Sequence, residues 1–492
     1  MGSTAAPDLH ILFFPYMAQG HMLPMVDMAN LFAARGGVTV TILTTPANAV
    51  IIRSAIHRSD PPISLRLIPF PSAAAGLPEG CENRFSLPSD SFRANFYRAL
   101  PLLRHPFDEV LQDLRPDCVV SDAFLPWTYY VAEDRGIPRL LFDGTGFFYR
   151  CATHAVDQSN PIDNLQPGAT SFVLDGLPHR LEMLLSQTME YANWKPWPGS
   201  AEFGSMNRQR KEVEPKNYGV IVNSFYELES DYVDHYRKVV GRKAWHVGPV
   251  SLFNQNAAEQ PIRGSSGNGS VDTDKSLEWL GRQKPGSVIY VCFGSVTEIT
   301  GKQIVKIAAG LEAAGHPFLW VVRGGGVKCL PEGFEERVAS EGKGMVICGW
   351  AQQLLILNHA AVGGFVTHCG WNSTIEGISA GLPMVTWPLF ADQFCNEKLL
   401  VEVVKVGVGV GSKVCSMNAE DRQLVEAEAV EEAVRKVMGE GEEAEERRRR
   451  ARDLAEKARR AVEKGGSSYD DIFNLIHELR ERKGRIASAG NS

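Results

Sequence analysis

His21 and Asp122 are two residues whose types could transfer a proton. Histidine is neutral near pH 7 and can take a proton from a hydroxyl. A carboxylate bonded to the far ring nitrogen would fix the imidazole tautomer and stabilise the protonated ring, as in a catalytic triad. His21 comes after the first apolar run and Asp122 comes directly after another, so we expect both at one edge of the same sheet. The alternative is a histidine that only caps a helix.

A second group of candidate residues lies between Trp350 and Gln393. Residues 364–367 are typical of a strand, 368–371 of a tight turn, and 373 onward of a helix. A glycine-containing turn that opens a helix presents unpaired backbone N–H groups and the positive end of a helix dipole, which suit a phosphate. His368, Asn372 and Ser373 would add side-chain donors there.

These residues also have less specific interpretations. Ser373 and Glu376 have the spacing of a capping box, which would make Glu376 structural. His368 and Cys369 are adjacent, but no second ligand cluster accompanies them, so we expect no metal site. The tryptophans of the segment could be ordinary core residues, although their polar neighbours favour stacking platforms.

Two series of apolar runs supply strands to position these groups. The first comprises residues 9–14, 38–43, 65–68, 118–120, 139–142 and 220–222, and the second 288–293, 318–322, 345–347, 365–367 and 384–387. Helix-length segments separate the runs, which predicts two parallel α/β sheets with helices on both faces. The Gly- and Ser-rich stretch 257–276 is expected to join them. We therefore predict domains at 1–255 and 256–465, with a helix in 466–492 that returns to the first domain.

Composition and charge limit the class of protein. The 492 residues are enough for about three ordinary domains or two large ones. Hydrophobic residues make up 44 % and charged residues 22 %, which is typical of a folded globular chain. A net charge of −7 is the wrong sign for a general nucleic-acid binder, so no nucleic-acid partner is expected.

Nine scattered cysteines without a C-x-x-C pair argue against a disulfide framework. The chain begins without the basic residues of a signal peptide, and it has no uncharged apolar stretch of about 18 residues. These features predict a cytoplasmic protein with no membrane span.

The segment WAQQLLILNHAAVGGFVTHCGWNSTIEGISAGLPMVTWPLFADQ resembles the secondary-product glycosyltransferase box of plant family 1 UDP-sugar glycosyltransferases. The similarity extends over essentially the whole chain, and the phrases TILTTPANA and PMVTWPLFADQF are most similar to the flavonoid, terpenoid and steroid group. Where the family usually has Pro, this chain has Gln352. The resemblance implies a GT-B fold, in which two Rossmann-like domains face each other across a cleft.

The resemblance also implies a donor site for a UDP-sugar, which is a co-substrate, with no cofactor. Trp350 would stack on uracil beside the Ala351 backbone, and Gln353 and Glu376 would hold the ribose. The residues that would bind the phosphates are Ser295, His368, Asn372 and Ser373. Those that would surround the sugar are Trp371, Asp392, Gln393 and Thr145.

The implied reaction is an inverting transfer from UDP-glucose to a hydroxyl of a small apolar metabolite, with His21 as base and Asp122 orienting it. Glucose is favoured because the box ends in Gln393, whereas a terminal His is typical of galactose users. Flat apolar acceptors are expected to bind against aromatic side chains. The candidates in the first domain are Phe85, Phe124, Phe147 and Tyr191. A monomer is the default expected from the family.

Two rival functions are weighed against this one. A nicotinamide-dependent dehydrogenase is suggested by GVGVG at residues 407–411, but this run lacks the G-x-G-x-x-G spacing and a following helix. A non-catalytic UDP-sugar or small-ligand binder would be favoured by loss of His21 or Asp122, and both residues are present.

Overall fold

The computed structural model describes residues 9–56, 63–189, 197–254, 269–295 and 297–489. The strands of this part of the chain are β1 Leu9–Phe14, β2 Val38–Thr44, β3 Ser64–Leu67, β4 Cys118–Asp122, β5 Arg139–Phe142, β6 Ser171–Leu174, β7 Leu181–Leu184, β8 Gly219–Val222, β9 Ala244–His246, β10 Val288–Cys292, β11 Phe318–Val322, β12 Gly344–Cys348, β13 Val362–Thr367, β14 Met384–Thr386 and β15 Gly407–Gly409.

The α-helices of the same residues are α1 Gln19–Ala33, α2 Pro46–Ala55, α3 Arg93–Ala99, α4 Arg104–Leu114, α5 Thr128–Asp134, α6 Phe147–Ser159, α7 Ser200–Val213, α8 Tyr226–Lys238, α9 Gly269–Gly281, α10 Gly301–Ala314, α11 Phe334–Ser340, α12 Gln353–Leu357, α13 Trp371–Ser379, α14 Gln393–Lys398, α15 Ala427–Met438, α16 Glu442–Val462 and α17 Ser467–Ala489. None of them is both long and apolar enough to cross a membrane.

The first sheet is parallel and has the order β3-β2-β1-β4-β5-β8-β9. Its central strands are apolar and buried because helices cover both faces. In the register of the sheet Phe14 lies opposite Ser121, so β1 and β4 end side by side. The loop after β1 and the end of β4 therefore share one edge of the sheet, as the sequence predicts.

The second sheet is also parallel, with the order β12-β11-β10-β13-β14-β15. Strand β10 pairs with β13, so the segment after Cys292 and the turn after Thr367 meet at one edge. The GVGVG run contains edge strand β15, and no helix opens directly after it. This geometry does not support the dinucleotide-binding interpretation of the run.

The last helix, α17, packs against the first sheet. Its apolar residues Ile472, Leu475, Ile476 and Leu479 lie in the core beneath β1 and β2. Lys483 pairs with Asp117 at 2.9 Å, next to the start of β4. The chain thus crosses from the second domain back to the first, whereas the boundary predicted near residue 255 lies outside the described residues.

Strands β6, β7, β9 and β15 lie outside the two series of apolar runs from which strands were predicted. Strand β9 consists of Ala244, Trp245 and His246, so only two of its residues are apolar and the sequence shows no apolar run there. Strands β6 and β7 form a separate antiparallel hairpin. After this hairpin, the backbone N–H of Cys415 in the second domain donates to the Ser186 carbonyl at 2.7 Å, so the segment bridges the two domains.

Candidate active site

A cleft of about 400 Å³ lies where the carboxyl edges of the two sheets face each other. Residues of both domains line it, among them His21 from the first domain and His368 from the second. Ligands of open α/β sheets bind at the carboxyl ends of the strands. The two groups of residues selected from the sequence therefore meet in one cavity.

His21 and Asp122 form a hydrogen-bonded pair in the first domain. The Nδ1 atom of His21 lies 2.8 Å from Oδ2 of Asp122, whose side chain is fully buried. The other carboxylate oxygen accepts the backbone N–H of Phe124 at 2.9 Å. Because Asp122 occupies Nδ1, the ring nitrogen left for a substrate is Nε2. His21 lies inside the first turn of α1, where no side chain makes a capping hydrogen bond, so the helix-cap alternative is not supported.

The pKa of His21 is set by opposing effects. Burial alone would lower it, but the charge and the hydrogen bond of Asp122 outweigh burial, with smaller contributions from Asp143 and Asp392. The result is a pKa above the ordinary value of 6.5. A basic imidazole with one nitrogen fixed by a carboxylate is suited to take a proton through the other.

Aromatic rings surround this pair on the first-domain side. The rings of Tyr16 and Phe124 lie 5.2 Å from the imidazole, and Phe203 lies 5.9 Å from Phe124. We call Tyr16, Tyr97, Phe124 and Phe203 the aromatic wall, because all four line the cleft. Arg84 and Arg210 line it too, and the guanidinium of Arg210 lies 5.8 Å from the Phe124 ring centre.

The aromatic residues predicted for the acceptor lie in different places. Phe124 lines the cleft. Phe147 is fully buried and packs against Tyr236 in the core, so it does not line the cavity. Phe85 is exposed and lies outside the cleft lining, and Tyr191 lies outside the described residues. Sequence cannot tell which side of a helix faces the core until the helix is packed.

In the second domain the turn after β13 opens helix α13. The helix starts at Trp371 with Gly370 as its N-cap, and neither a capping side chain nor an acidic residue occupies its first turn. A Cβ atom on Gly370 would lie 2.4 Å from Nε2 of His368, and one on Gly294 would lie 2.6 Å from the same atom. Both glycines are needed for the imidazole to fit. The free helix terminus beside it is suited to bind an anion.

Glu376 does not act in a capping box, because Ser373 lies within α13 rather than before it. Its Oε2 instead accepts the side-chain amide of Gln353 at 2.8 Å, and the same amide lies 3.2 Å from Oγ of Ser373. Trp350 and Ala351 lie beside them in the cleft lining. The four residues predicted to hold the nucleoside, together with Ser373 from the set predicted for the phosphates, are thus brought together.

Arg323 is a residue of the site that the sequence analysis missed. It directly follows β11 and lines the cleft, where its guanidinium lies 4.8 Å from the Trp350 ring centre and donates to the Ser295 carbonyl at 3.1 Å. Burial and the charge of Arg323 lower the pKa of His368 to about 4, so this imidazole is neutral at pH 7. Its position at a strand end, the criterion that selected His21, could have identified Arg323 from the sequence.

The residues predicted to surround the sugar come from both domains. Thr145 donates its hydroxyl to Asp143 at 2.6 Å and lines the cleft. Burial raises the pKa of Asp392 to about 6, and its Oδ2 accepts from Asn396 at 2.6 Å. The side-chain oxygen of Gln393 accepts the backbone N–H groups of residues 389 and 390. Gln393 is almost fully buried and, unlike its neighbour Asp392, is not among the residues that line the cleft.

Comparison with known proteins decides the family of this chain. Residues 272–440 match the model of the UDP-glucoronosyl and UDP-glucosyl transferase family. A scopoletin glucosyltransferase of Nicotiana tabacum is 46 % identical, over 96 % of this chain and 98 % of the relative. A UDP-glucose flavonoid 3-O-glucosyltransferase 7 of Fragaria ananassa is also 46 % identical, over 98 % of both chains. The chain belongs to the plant family 1 UDP-glycosyltransferases.

Solved structures agree with this assignment. UGT73P12 of Glycyrrhiza uralensis, complexed with glycyrrhetinic acid 3-O-monoglucuronide, has a TM-score of 0.88 and 38 % identity, with 98 % of each chain covered. The predicted family, the GT-B fold and the class of UDP-sugar-dependent glycosyltransferase are therefore confirmed.

Within this glycosyltransferase, two predicted donor residues make contacts that the sequence did not indicate. The indole N–H of Trp371 donates to the Asn223 carbonyl of the first domain at 2.8 Å. The side-chain amide of Asn372 donates to the Gly20 carbonyl at 2.5 Å, while its Oδ1 is buried without a hydrogen-bond partner in the described residues. Both residues connect helix α13 to the first domain.

Proposed function

We propose that this glycosyltransferase transfers glucose from UDP-glucose to a hydroxyl of a planar phenol of the flavonoid or coumarin type, with inversion at the anomeric carbon. The observation that carries the proposal is the His21–Asp122 pair: the buried Asp122 holds the imidazole of His21, which lines the cleft together with the aromatic wall and the start of α13. The relatives named for glucose transfer to flavonoids and to scopoletin support both the donor and the acceptor class.

In the proposed reaction Nε2 of His21 takes the acceptor proton as the hydroxyl oxygen forms its bond to the anomeric carbon. The bond between this carbon and the UDP oxygen breaks, and UDP leaves on the opposite face. Asp122 stabilises the imidazolium that results. The positive charge that grows on the sugar resembles that in glycoside hydrolysis.

The negative charge on the departing diphosphate is stabilised by the N–H groups at the start of α13, by Ser373 and by Arg323. His368 is neutral at pH 7 and contributes a hydrogen-bonding ring nitrogen. These groups supply donors and one full positive charge, so we propose that transfer needs no divalent metal. A non-catalytic UDP-sugar binder is not favoured, because the relatives are glucosyltransferases by name and the base is paired with its carboxylate.

The acceptor proposal depends on the aromatic wall and its two cations. Flat rings can stack between Tyr97, Phe124 and Phe203, while Arg84 and Arg210 favour acceptors that carry acidic phenols. The cytoplasmic location and the monomeric state stay predictions.

The experiment that tests the proposal is an acceptor panel of flavonoids, coumarins, triterpenoids and steroids with UDP-glucose, before and after exhaustive chelation. Products are identified by mass, and the anomer by NMR. We expect β-glucosides of the phenols at an unchanged rate after chelation. Turnover of triterpenoids or steroids alone would contradict the acceptor class, and activity that chelation abolishes and Mg²⁺ restores would contradict metal independence.

A further inference from the structure

Helix α13, which we call the donor helix because we propose that its start binds the diphosphate, is hydrogen-bonded to the first domain through its first two residues. Trp371 donates its indole N–H to the Asn223 carbonyl at 2.8 Å, and Asn372 donates its amide to the Gly20 carbonyl at 2.5 Å. Gly20 directly precedes the base His21. The helix start that faces the diphosphate is therefore connected to the backbone that carries the base.

The indole of Trp371 packs closely against residues of the first domain. Its side chain is almost fully buried. A Cβ atom on Gly146 would lie 2.5 Å from Cη2 of the indole and 2.7 Å from Oε1 of Glu229. The backbone of Gly146, with φ −85° and ψ 174°, is one that any residue adopts. The indole and the Glu229 carboxylate, rather than the backbone, therefore require a glycine at this position.

The first-domain residues that contact Trp371 are themselves held in place by hydrogen bonds. Glu229 is 2 % exposed, and its Oε1 accepts the backbone N–H of Phe148 at 2.7 Å while its Oε2 accepts the Ser224 hydroxyl. The side-chain oxygen of Asn223 accepts the backbone N–H of Val250 at 3.0 Å. Buried, directional bonds thus fix both the carbonyl and the ring contact that receive Trp371.

From this geometry we propose that Trp371 is a positioning residue, which sets the distance between the donor helix and His21, and that it does not select the sugar. An indole has a single hydrogen-bond donor and no acceptor, and here the donor is bonded to Asn223. A sugar hydroxyl could gain that N–H only if the bond between the domains broke. The proposal rests on the proposed transfer reaction, since positioning is assayed in part by turnover.

The first test is Trp371→Phe, which keeps an aromatic ring but removes the N–H. We expect kcat to fall about ten- to a hundredfold, since small misplacements of reacting groups are costly. UDP affinity, measured by calorimetry, and the ratio of UDP-glucose to UDP-galactose use should both stay within about threefold. Trp320→Phe is the matched control, because Trp320 is equally buried but packs on Phe334 within the second domain.

The second test is Gly146→Ala, which places a methyl group against both the indole and Oε1 of Glu229 without straining the backbone; only the contact with the indole is relieved in Trp371→Phe. Gly36→Ala is its control, since a Cβ there meets nothing within 4 Å. We expect Gly146→Ala to lower kcat and to do so less in a Trp371→Phe background, because Phe lacks the ring edge that the methyl group meets. Such non-additivity is the signature of two residues in direct contact.

Hydrogen exchange at residues 143–150 and 219–224 gives a readout that needs no turnover, and we expect it to rise in Trp371→Phe but not in Trp320→Phe. A change of more than tenfold in the glucose-to-galactose ratio would overturn the proposal in favour of sugar selection. Unchanged kcat and unchanged exchange would overturn it as well. A wild-type enzyme inactive with UDP-glucose would instead contradict the proposed function and leave the exchange result to decide the positioning role.

Discussion

The half of the cleft that we propose for the donor and the half that we propose for the acceptor, here called the donor half and the acceptor half, are built in different ways. Most donor residues come from one segment, 350–393, where a strand end, a turn and a helix start follow each other closely. The acceptor half collects residues that are far apart in the chain, from Tyr16 to Arg210. A contiguous segment carries its own geometry, whereas a dispersed surface exists only after the domain has folded.

The two halves also differ in the forces that hold them. Donor residues are joined by directional hydrogen bonds, such as that between Gln353 and Glu376 at 2.8 Å. The aromatic wall is held by ring contacts, such as that between Phe124 and Phe203 at 5.9 Å. Ring packing has broad geometric preferences and tolerates substitution. We infer that the donor half resists change, whereas the acceptor half can be altered to accept another substrate.

The largest effect should come from His21→Ala, which removes the base but leaves the donor half intact. We expect kcat on a weakly acidic hydroxyl to fall about 10²- to 10⁴-fold, with unchanged UDP affinity. Single-turnover rates and calorimetry measure the two quantities. His105→Ala, at an exposed position, is the control. Retention of more than about a tenth of the wild-type rate would contradict the role of His21.

The next largest effect should be on the preference for UDP-glucose over UDP-galactose. The side-chain oxygen of Gln393 is bonded to backbone N–H groups, so we expect its amide nitrogen to be the group that donates a hydrogen bond to a sugar hydroxyl. Wild type should prefer UDP-glucose over UDP-galactose by about ten- to a hundredfold, because the wrong 4-hydroxyl leaves a buried polar group unpaired. Gln393→His should reduce this ratio in a donor competition, while Gln112→His, on exposed α4, should not. A wild-type preference for galactose or glucuronic acid would refute this assignment.

A smaller effect is expected in the acceptor half. Arg210→Gln removes a cation from the aromatic wall and should lower kcat/KM for acidic phenols about three- to tenfold, with less change for neutral alcohols. Arg208→Gln, at an exposed position of the same helix, is the matched control. Equal losses for both classes of acceptor would show that Arg210 supports the fold of the wall rather than recognising charge.

The last prediction concerns the pH dependence of activity, in wild type and in Asp122→Asn. His21 must be neutral to act as base, so kcat/KM should fall as pH drops through its pKa, which lies above 6.5. In Asp122→Asn the carboxylate charge is lost and burial dominates, so the acid limb of the residual activity should move to lower pH. Asp392, whose pKa is about 6, also titrates near this range. An acid limb that moves in Asp392→Asn but not in Asp122→Asn would reassign it to Asp392.

Much of the fold follows from local pattern. Strands β5 and β11 have the bounds predicted for them, because a buried parallel strand must be a run of apolar residues. Strand β9, which ends in His246, and the hairpin of β6 and β7, whose residues are buried only alternately, were missed. Their pairing is determined by neighbours that are distant in the sequence.

The sequence by itself determined which residues lie at the ends of strands and at the start of α13, and hence that His21 and Asp122 would lie together at one edge of the first sheet. The resemblance to the family implied most of the donor set. Backbone hydrogen bonding and apolar periodicity act over a few residues, so a single sequence can reveal them. Only the tertiary structure decided that Phe147 faces the core, that Arg323 lies against Trp350, and that Trp371 is bonded to Asn223. These contacts join residues far apart in the chain, and they form only when the helices have packed and the two sheets face each other.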